Sequence, residues 1–171
     1  MTLTPDTDTV DRVAGLTPGS ASHATRHQRE KVVHATQGSE NLFFNPDLPG
    51  LSLQERLQSA LLAAALTPSP SLIKEYSERL AAAGADQSAI DLLAKGSIPT
   101  SSEARTQALL EFTHTLVTDP VKADRDALQA LKQAGLATPE IVALAQLIAF
   151  VSYQVRTVAG LRAMNALEQR T

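Results

Sequence analysis

The chain has few residues that could perform chemistry, because its 171 residues include four histidines and no cysteine. Peroxide reduction by a protein thiol needs a thiolate nucleophile. That reaction is therefore excluded on this polypeptide, and so are disulfide bonds. Any remaining chemistry must rely on hydroxyl groups, imidazoles, carboxylates and guanidinium groups.

Ser69 and Tyr76 are the first candidates, seven residues apart in one predicted helix. A serine attacks a substrate only when a neighbouring base accepts its proton, and the sequence places no histidine near Ser69. Pro70 follows it, and this order favours Ser69 as a helix N-cap. The phenol of Tyr76 donates hydrogen bonds at neutral pH and does not act as a base. A buried structural tyrosine is therefore favoured over a ligand-binding one. Glu75, the residue before Tyr76, is interpreted as a surface charge.

Three histidines lie close together near the amino terminus. His23 and His27 are four residues apart, and His34 lies two turns further on. Two histidines at this spacing can share a metal ion on one helix face. The sequence supplies no cysteine and no carboxylate on the same face nearby, so we predict no metal site and no cofactor.

The remaining candidates lie in the second half of the chain. His114 is close to an apolar stripe, which favours a neutral core histidine over a general base. Arg156, with Tyr153 beside it, lies in apolar surroundings where a guanidinium needs a carboxylate or carbonyl partner. A structural ion pair is favoured over a two-pronged grip on an anionic ligand. The candidate ligand-binding residues are therefore Tyr76, His114, Tyr153 and Arg156.

The composition indicates an all-α protein. Aromatic residues make up 4% of the chain and hydrophobic residues 43%, which suits close-packed helices better than a sheet. A net charge of −3 gives no electrostatic case for binding nucleic acid. The longest apolar run, residues 141–151, is too short to span a bilayer and predicts a central helix. We expect a soluble cytoplasmic protein that binds neither nucleic acid nor membrane.

Residues 51–80 predict the helix pair around which the fold is organised. Ser52 and Glu55 form a capping box before an apolar helix, and Ser69 with Pro70 begins the next helix. Further helices are predicted over 86–95, 100–118 and 122–134, and from residue 138 onward. Thr100 and Glu103 predict a second capping box at the start of the 100–118 helix.

Residues 1–50 predict an amino-terminal arm that precedes a helical domain over 51–171. The arm contains a short helix over 8–16 and a polar helix over 20–36 that ends near Gly38. Phe43 and Phe44 follow, and we interpret them as an anchor that docks the arm onto the body or onto a neighbouring subunit.

The stretch LSLQERLQSALLAAALTPSPSLIKEYSERL resembles the core motif of the carboxymuconolactone decarboxylase and alkylhydroperoxidase D superfamily. Redox members of that superfamily carry L-S-x-x-E-R-E, an apolar helix and then C-x-x-C-x-x-x-H. Aligned without gaps, the two cysteines fall on Ser69 and Leu72, the histidine on Tyr76 and the relay glutamate on Leu57. All four chemical positions are changed. The resemblance therefore implies no redox-catalytic residue and no thiol peroxidase activity.

The second half of the chain carries the same resemblance. IPTSSEARTQALLEFTHTLVTDP is similar to the helix that follows the motif, and IAFVSYQVRTVAGL to a late helix in which Arg156 and Gly160 keep their places. Two asparagines typical of that late helix fall on Ser152 and Val155. The resemblance extends from Leu51 to about Leu161, and the arm resembles that of a cysteine-free branch.

This resemblance implies a compact array of about six to eight helices that forms a homo-oligomer. It implies a binding, assembly or pseudo-enzyme protein that accompanies a cysteine-bearing paralogue. The alternative is a lyase or isomerase acting on a small carboxylated substrate. That alternative requires a base close to Arg156 in a closed pocket, with His114 and Tyr76 as the candidates.

Overall fold

A computed structural model describes residues 8–100 and 103–170, and within them the chain forms nine α-helices and no strand. The predicted all-α class is confirmed. The helices are α1 (Thr9–Ala14), α2 (Ala21–His27), α3 (Glu30–Phe43), α4 (Leu53–Leu66), α5 (Pro70–Ala82), α6 (Gln87–Ala94), α7 (Ala104–Thr118), α8 (Arg125–Gln133) and α9 (Thr138–Glu168). A short 3-10 helix, Pro120–Lys122, precedes α8.

The α4–α5 pair forms as its capping residues predict. The Ser52 Oγ accepts a hydrogen bond from the Glu55 N–H, and the Glu55 side chain accepts one from the Ser52 N–H. Ser69 is the N-cap of α5 and Pro70 is its first residue, but the Ser69 side chain makes no capping hydrogen bond. The position is therefore confirmed, while the hydroxyl does not cap the helix.

Helix α4 is the centre of the body, where it packs against α5, α6, α7 and α9. Its buried residues surround most of its circumference, from Leu57 to Ala64. Helix α9, predicted to be central, is only partly covered, because Val142 is 50% exposed and Ala149 is also exposed. Alanines on α4 allow neighbouring helices to approach it closely, and this explains why α4 takes the central place.

By length and composition alone, α9 would be long and apolar enough to cross a membrane. In this fold 44% of its most apolar 18-residue window is buried. Its inner face packs against α4, α1, α7 and α2. Helix α9 thus lies along the surface of the helical body, with apolar residues on its outer side left exposed.

The arm forms three helices where two were predicted. Asp8 caps α1, and Gly15 ends it in the left-handed region at φ 71°, so the predicted short helix is confirmed. The predicted polar helix over 20–36 is wrong, because α2 ends at His27 and α3 runs from Glu30 through Gly38 to Phe43. A glycine inside a helix costs about 1 kcal/mol. Burial of one face of α3 offsets this cost.

The phenylalanine anchor docks onto the body of the same chain. The Phe44 ring is buried, with its centroid 5.4 Å from that of Tyr76. The Phe43 ring lies 5.3 Å from Phe150 on α9. These contacts hold α3 against both α5 and α9. The first seven residues of the predicted arm lie outside the described part of the chain.

The predicted capping box of Thr100 and Glu103 is wrong, because Glu103 is itself the N-cap of α7. Ser101 and Ser102 between them lie outside the described residues. Two residues after Glu103, Arg105 donates to Glu55 at 2.7 Å and to Glu140 at 2.6 Å. These two carboxylates cap α4 and α9, so Arg105 ties the starts of the two helices together.

Candidate functional site

A buried polar network joins the arm to the body. The Glu40 carboxylate on α3 accepts a 2.5 Å hydrogen bond from Arg79 on α5 and a 2.7 Å hydrogen bond from the Gln154 amide on α9. The Tyr76 hydroxyl on α5 donates to the Gln154 Oε1 at 2.5 Å. Four side chains from three helices therefore satisfy one another inside an otherwise apolar core.

Burial sets the protonation of this network. It raises the pKa of Tyr76 well above the ordinary value, so the phenol stays protonated and donates to Gln154. Burial also raises the pKa of the Glu40 carboxyl, although hydrogen bonds from Arg79 and Gln154 oppose that rise. Tyr76 cannot act as a base at neutral pH, whereas Glu40 titrates closer to neutrality than an exposed glutamate does.

An open cleft of about 410 Å³ lies beside the network. Arg12 from α1 grips the Glu75 carboxylate through two hydrogen bonds of 2.6 and 2.9 Å. The Arg79 guanidinium lies 4.3 Å from the centre of the Phe44 ring. Glu40 also lines the cleft. The remaining lining residues are polar or small, namely Thr9, Gln37, Asn41, Asn45 and Pro46.

The charges of this cleft compensate one another. Arg12 pairs with Glu75, and Arg79 pairs with Glu40. The sequence-based interpretation of Glu75 as surface charge is wrong, because this residue is buried under Arg12. Its hydrogen bond from Arg12 lowers the pKa of the Glu75 carboxyl, against the opposing effect of burial.

The four positions aligned with the redox motif are all buried. Leu57 and Leu72 are core side chains, and Ser69 is a buried N-cap. Tyr76, at the aligned histidine position, is bound into the network through Gln154. These positions therefore supply packing and one structural hydrogen bond.

The other candidate ligand-binding residues are not brought together. Arg156 is exposed, and its Nη1 donates at 2.7 Å to the Ser152 carbonyl one turn earlier in α9. The Tyr153 hydroxyl lies 3.3 Å from the Thr36 Oγ1. The His114 Nδ1 lies 3.5 Å from the Thr118 Oγ1. No carboxylate pairs with Arg156 within the described ranges 8–100 and 103–170, because α9 directs this residue to solvent.

The buried arginine of this fold is Arg56 on α4, which the sequence analysis missed. Arg56 is 2% exposed, and it donates to the carbonyls of Ser52 at 3.2 Å and of Asn45 at 3.0 Å. Its Nη1 is buried without a hydrogen-bond partner, and no carboxylate forms a salt bridge with it among the described residues. Burial lowers the pKa of its guanidinium. Arg56 is four residues before Ala60 and therefore lies on the apolar face of α4, and this spacing could have predicted its burial.

A small cavity of about 170 Å³ adjoins Arg56 at the junction of the arm, α4 and α9. Its walls are mostly apolar and consist of Leu42, Phe43, Leu48, Pro49, Leu51, Ala143 and Gln146. An apolar cavity with one cationic group suits a small molecule that has a hydrocarbon part and a carboxylate. This cavity is chemically distinct from the polar cleft, where every guanidinium already has an acid partner.

The amino-terminal histidines also have a neighbour that the sequence analysis missed. Asp11 on α1 lies beside both histidines, with its Oδ2 2.8 Å from the His27 Nε2 and 3.9 Å from the His23 Nε2. The premise that no carboxylate completes this face was therefore wrong, because it considered only the helix that carries the histidines.

No protein-family model matches the chain, and no curated protein is significantly similar to it. The resemblance to the superfamily therefore rests on the sequence motifs alone.

Removal of the Tyr76 hydroxyl tests the network. In Tyr76→Phe the buried Gln154 oxygen loses its donor, so the free energy of unfolding should fall by about 1–3 kcal/mol. Tyr153→Phe is the matched control, because Tyr153 is partly exposed, and its effect should stay within about 0.5 kcal/mol. Urea denaturation measures both variants. Equal effects of the two substitutions would contradict the assigned role of Tyr76.

The lowered pKa of Glu75 predicts a pH-dependent contribution to stability. Because its folded pKa lies below the unfolded value of about 4.3, the stabilisation is present above that pH and is lost as the pH falls through the folded pKa. The free energy of unfolding of the wild type should exceed that of Glu75→Gln by about 1 kcal/mol at pH 7, and this difference should vanish in acid.

Denaturation of both proteins between pH 7 and pH 3 measures this difference. Glu78→Gln is the control, because Glu78 is exposed and its nearest cationic atom, the Lys74 Nζ, is 3.9 Å away. A gap between wild type and Glu75→Gln that stays constant over the whole range would refute the assigned cause.

Proposed function

We propose that this protein is a cysteine-free member of the alkylhydroperoxidase D-like superfamily that binds a small carboxylated molecule and has no thiol peroxidase activity. The observation that carries the proposal is the buried Arg56, which has no acid partner and lines a small apolar cavity. In this proposal the chain is a binding or assembly protein, with the superfamily's redox chemistry absent.

Two features support placement in the superfamily. The α4–α5 pair has the capping box of the L-S-x-x-E motif, and its second helix starts at the position where the motif places its own second helix. The positions aligned with the redox groups lie in the protein interior, filled by Leu57, Leu72 and Tyr76. We propose on this basis that the nine described helices form the superfamily's characteristic array.

The physical case for a carboxylated ligand starts from charge. A buried guanidinium without a carboxylate is costly, because it has lost its hydration and gained only two carbonyl hydrogen bonds. A ligand carboxylate would supply the missing charge and accept charge-assisted hydrogen bonds. The apolar cavity walls would at the same time cover the ligand's hydrocarbon part. The cavity volume restricts this ligand to a small acid.

We further propose that copies of the chain assemble into a homo-oligomer. Exposed apolar side chains lie on α3 and α9, two helices that touch through Phe43 and Phe150. They include Val32, Leu42 and Val142. Several exposed apolar side chains on two touching helices are typical of a subunit contact. Light scattering on the purified chain tests the proposal, and a monomer at micromolar concentration would count against it.

The proposed ligand class predicts a selective thermal shift. Small carboxylic acids such as benzoate should raise the Tm of the wild-type protein, because a ligand that binds only the folded state stabilises it. Benzamide, which has the same shape without the charge, should raise the Tm much less. Arg56→Gln should lose the benzoate response.

Arg156→Gln is the matched control, because Arg156 is an exposed arginine far from the described cavity lining. Its response to benzoate should equal that of the wild type. Equal shifts with benzoate and benzamide in the wild type would contradict the proposal even if Arg56→Gln fails to fold.

The second candidate function is a lyase or isomerase acting on a small carboxylated substrate. It is favoured by the raised pKa of Glu40 beside Arg79 at the polar cleft. Glu40 would remove a proton from the carbon next to a substrate carboxylate, and Arg79 would stabilise the enolate that forms. The sequence analysis had expected the base near Arg156. Arg156 is exposed, and neither His114 nor Tyr76 hydrogen-bonds to it, so Glu40 takes the role of the base in this candidate.

Deuterium incorporation tests this second candidate. Small 3-keto acids such as acetoacetate, incubated with the protein in D2O, should exchange the protons on the carbon next to the carboxylate, and Glu40→Gln should abolish the enzyme-dependent exchange. Glu78→Gln should leave the rate unchanged. Exchange that persists in Glu40→Gln would exclude Glu40 as the base.

A further inference from the structure

Helices α1 and α2 bring three metal-ligating side chains to one place in the arm. Asp11 lies on α1, and His23 and His27 lie one turn apart on α2 with their rings stacked at 4.1 Å. One carboxylate oxygen of Asp11 and one ring nitrogen of each histidine lie within 4.8 Å of one another. None of these three residues lines the Arg56 cavity, so the cluster is independent of the ligand site proposed above.

The Asp11 carboxylate is held with one oxygen toward the histidines. Its Oδ1 accepts a 2.7 Å hydrogen bond from the Arg26 Nη1, while Oδ2 faces the two rings. Asp8, 3.1 Å from Arg26, adds a second carboxylate to the group. Two carboxylates against one guanidinium leave a net charge of −1, which favours a cation. The Arg26 hydrogen bond acts as an outer contact that orients a ligand.

One ring nitrogen in the cluster has no hydrogen-bond partner among the described residues. The His27 Nε2 lies 2.8 Å from the Asp11 Oδ2, but the His23 Nε2 lies 3.9 Å from the same oxygen. The His23 Nε2 is buried and makes no hydrogen bond. A buried nitrogen without a partner is costly, and a metal ion bonded to both rings would satisfy it.

We propose that Asp11, His23 and His27 bind one divalent cation of the zinc class. Two imidazoles and a carboxylate suit Zn²⁺ or Co²⁺ better than Ca²⁺ or Mg²⁺, which prefer oxygen ligands. Bonds of about 2.0–2.2 Å place tetrahedral ligand atoms roughly 3.3 Å apart. The observed 2.8 and 3.9 Å separations lie on either side of that value, and the stacked rings would have to tilt so that both nitrogens point at one ion.

The coordination would be open. Three protein ligands leave a fourth position for water or an outside ligand, as in zinc sites that are not purely structural. A cavity of about 590 Å³ at the α2–α3 junction reaches His27 and gives that position a route to solvent. The ion would also fix α1 against α2. Arg12, the next residue after Asp11, would then be held toward Glu75 at the polar cleft.

Binding of Co²⁺ to the metal-free protein tests the proposal. After treatment with a chelator, the full chain should develop the visible absorption of bound Co²⁺, saturate at one ion per chain, and lose the signal when Zn²⁺ is added. His23→Gln and His27→Gln should each weaken binding about tenfold or more. His34→Gln is the matched control, because His34 is an exposed histidine of the same arm outside the cluster.

A second measurement removes dependence on the folding of the variants. In a Zn²⁺ titration of the wild type followed by NMR of the four histidine rings, only the signals of His23 and His27 should shift. His34→Gln and His114→Gln assign the remaining two signals. Lack of saturable binding by the wild type, equal loss in His34→Gln, or parallel shifts of all four rings would overturn the proposal.

Discussion

The buried carboxylate of Glu40 is the constraint on which the rest of this structure depends. A carboxylate in a core must be matched by donors, and here Arg79 and Gln154 supply them from two different helices. Those hydrogen bonds set the position of α3 against α5 and α9. The Phe44 ring then fits beneath the Arg79 guanidinium and against Tyr76. The hydrogen bonds that the Glu40 carboxylate accepts from Arg79 and Gln154 therefore bind the arm to the body.

The same network gives Tyr76 a structural role at a position that the sequence resemblance aligns with a histidine. Tyr76 is aligned with a histidine, and its hydroxyl is used to satisfy Gln154. The aligned cysteine and glutamate positions are filled with core residues and an N-cap. The capacity to bind a ligand is expected elsewhere, at Arg56, where a positive charge lacks an acid. A fold can keep its packing while the chemistry placed on it changes.

The sequence predicted what depends on local interactions. The capping box at Ser52 and the end of α1 at Gly15 follow from residues within one turn, and both were confirmed. Buried polar partners could not be predicted, because they join distant segments. Glu75 is 63 residues from Arg12, so spacing alone gave it the character of a surface charge. The burial of Arg56, in contrast, could have been predicted, because its spacing places it on the apolar face of α4.

A double-mutant cycle between Glu40 and Arg79 measures how strongly this ion pair binds the arm to the body. Glu40→Met, Arg79→Met and the double variant keep side-chain volume while they remove each charge. We expect a coupling energy of about 1–3 kcal/mol in urea denaturation, because the Glu40 carboxylate is buried and its partly exposed partner Arg79 joins the arm to the body. The exposed pair Lys74 and Glu78 should couple by less than about 0.5 kcal/mol. A Glu40–Arg79 coupling as small as that reference would contradict the account.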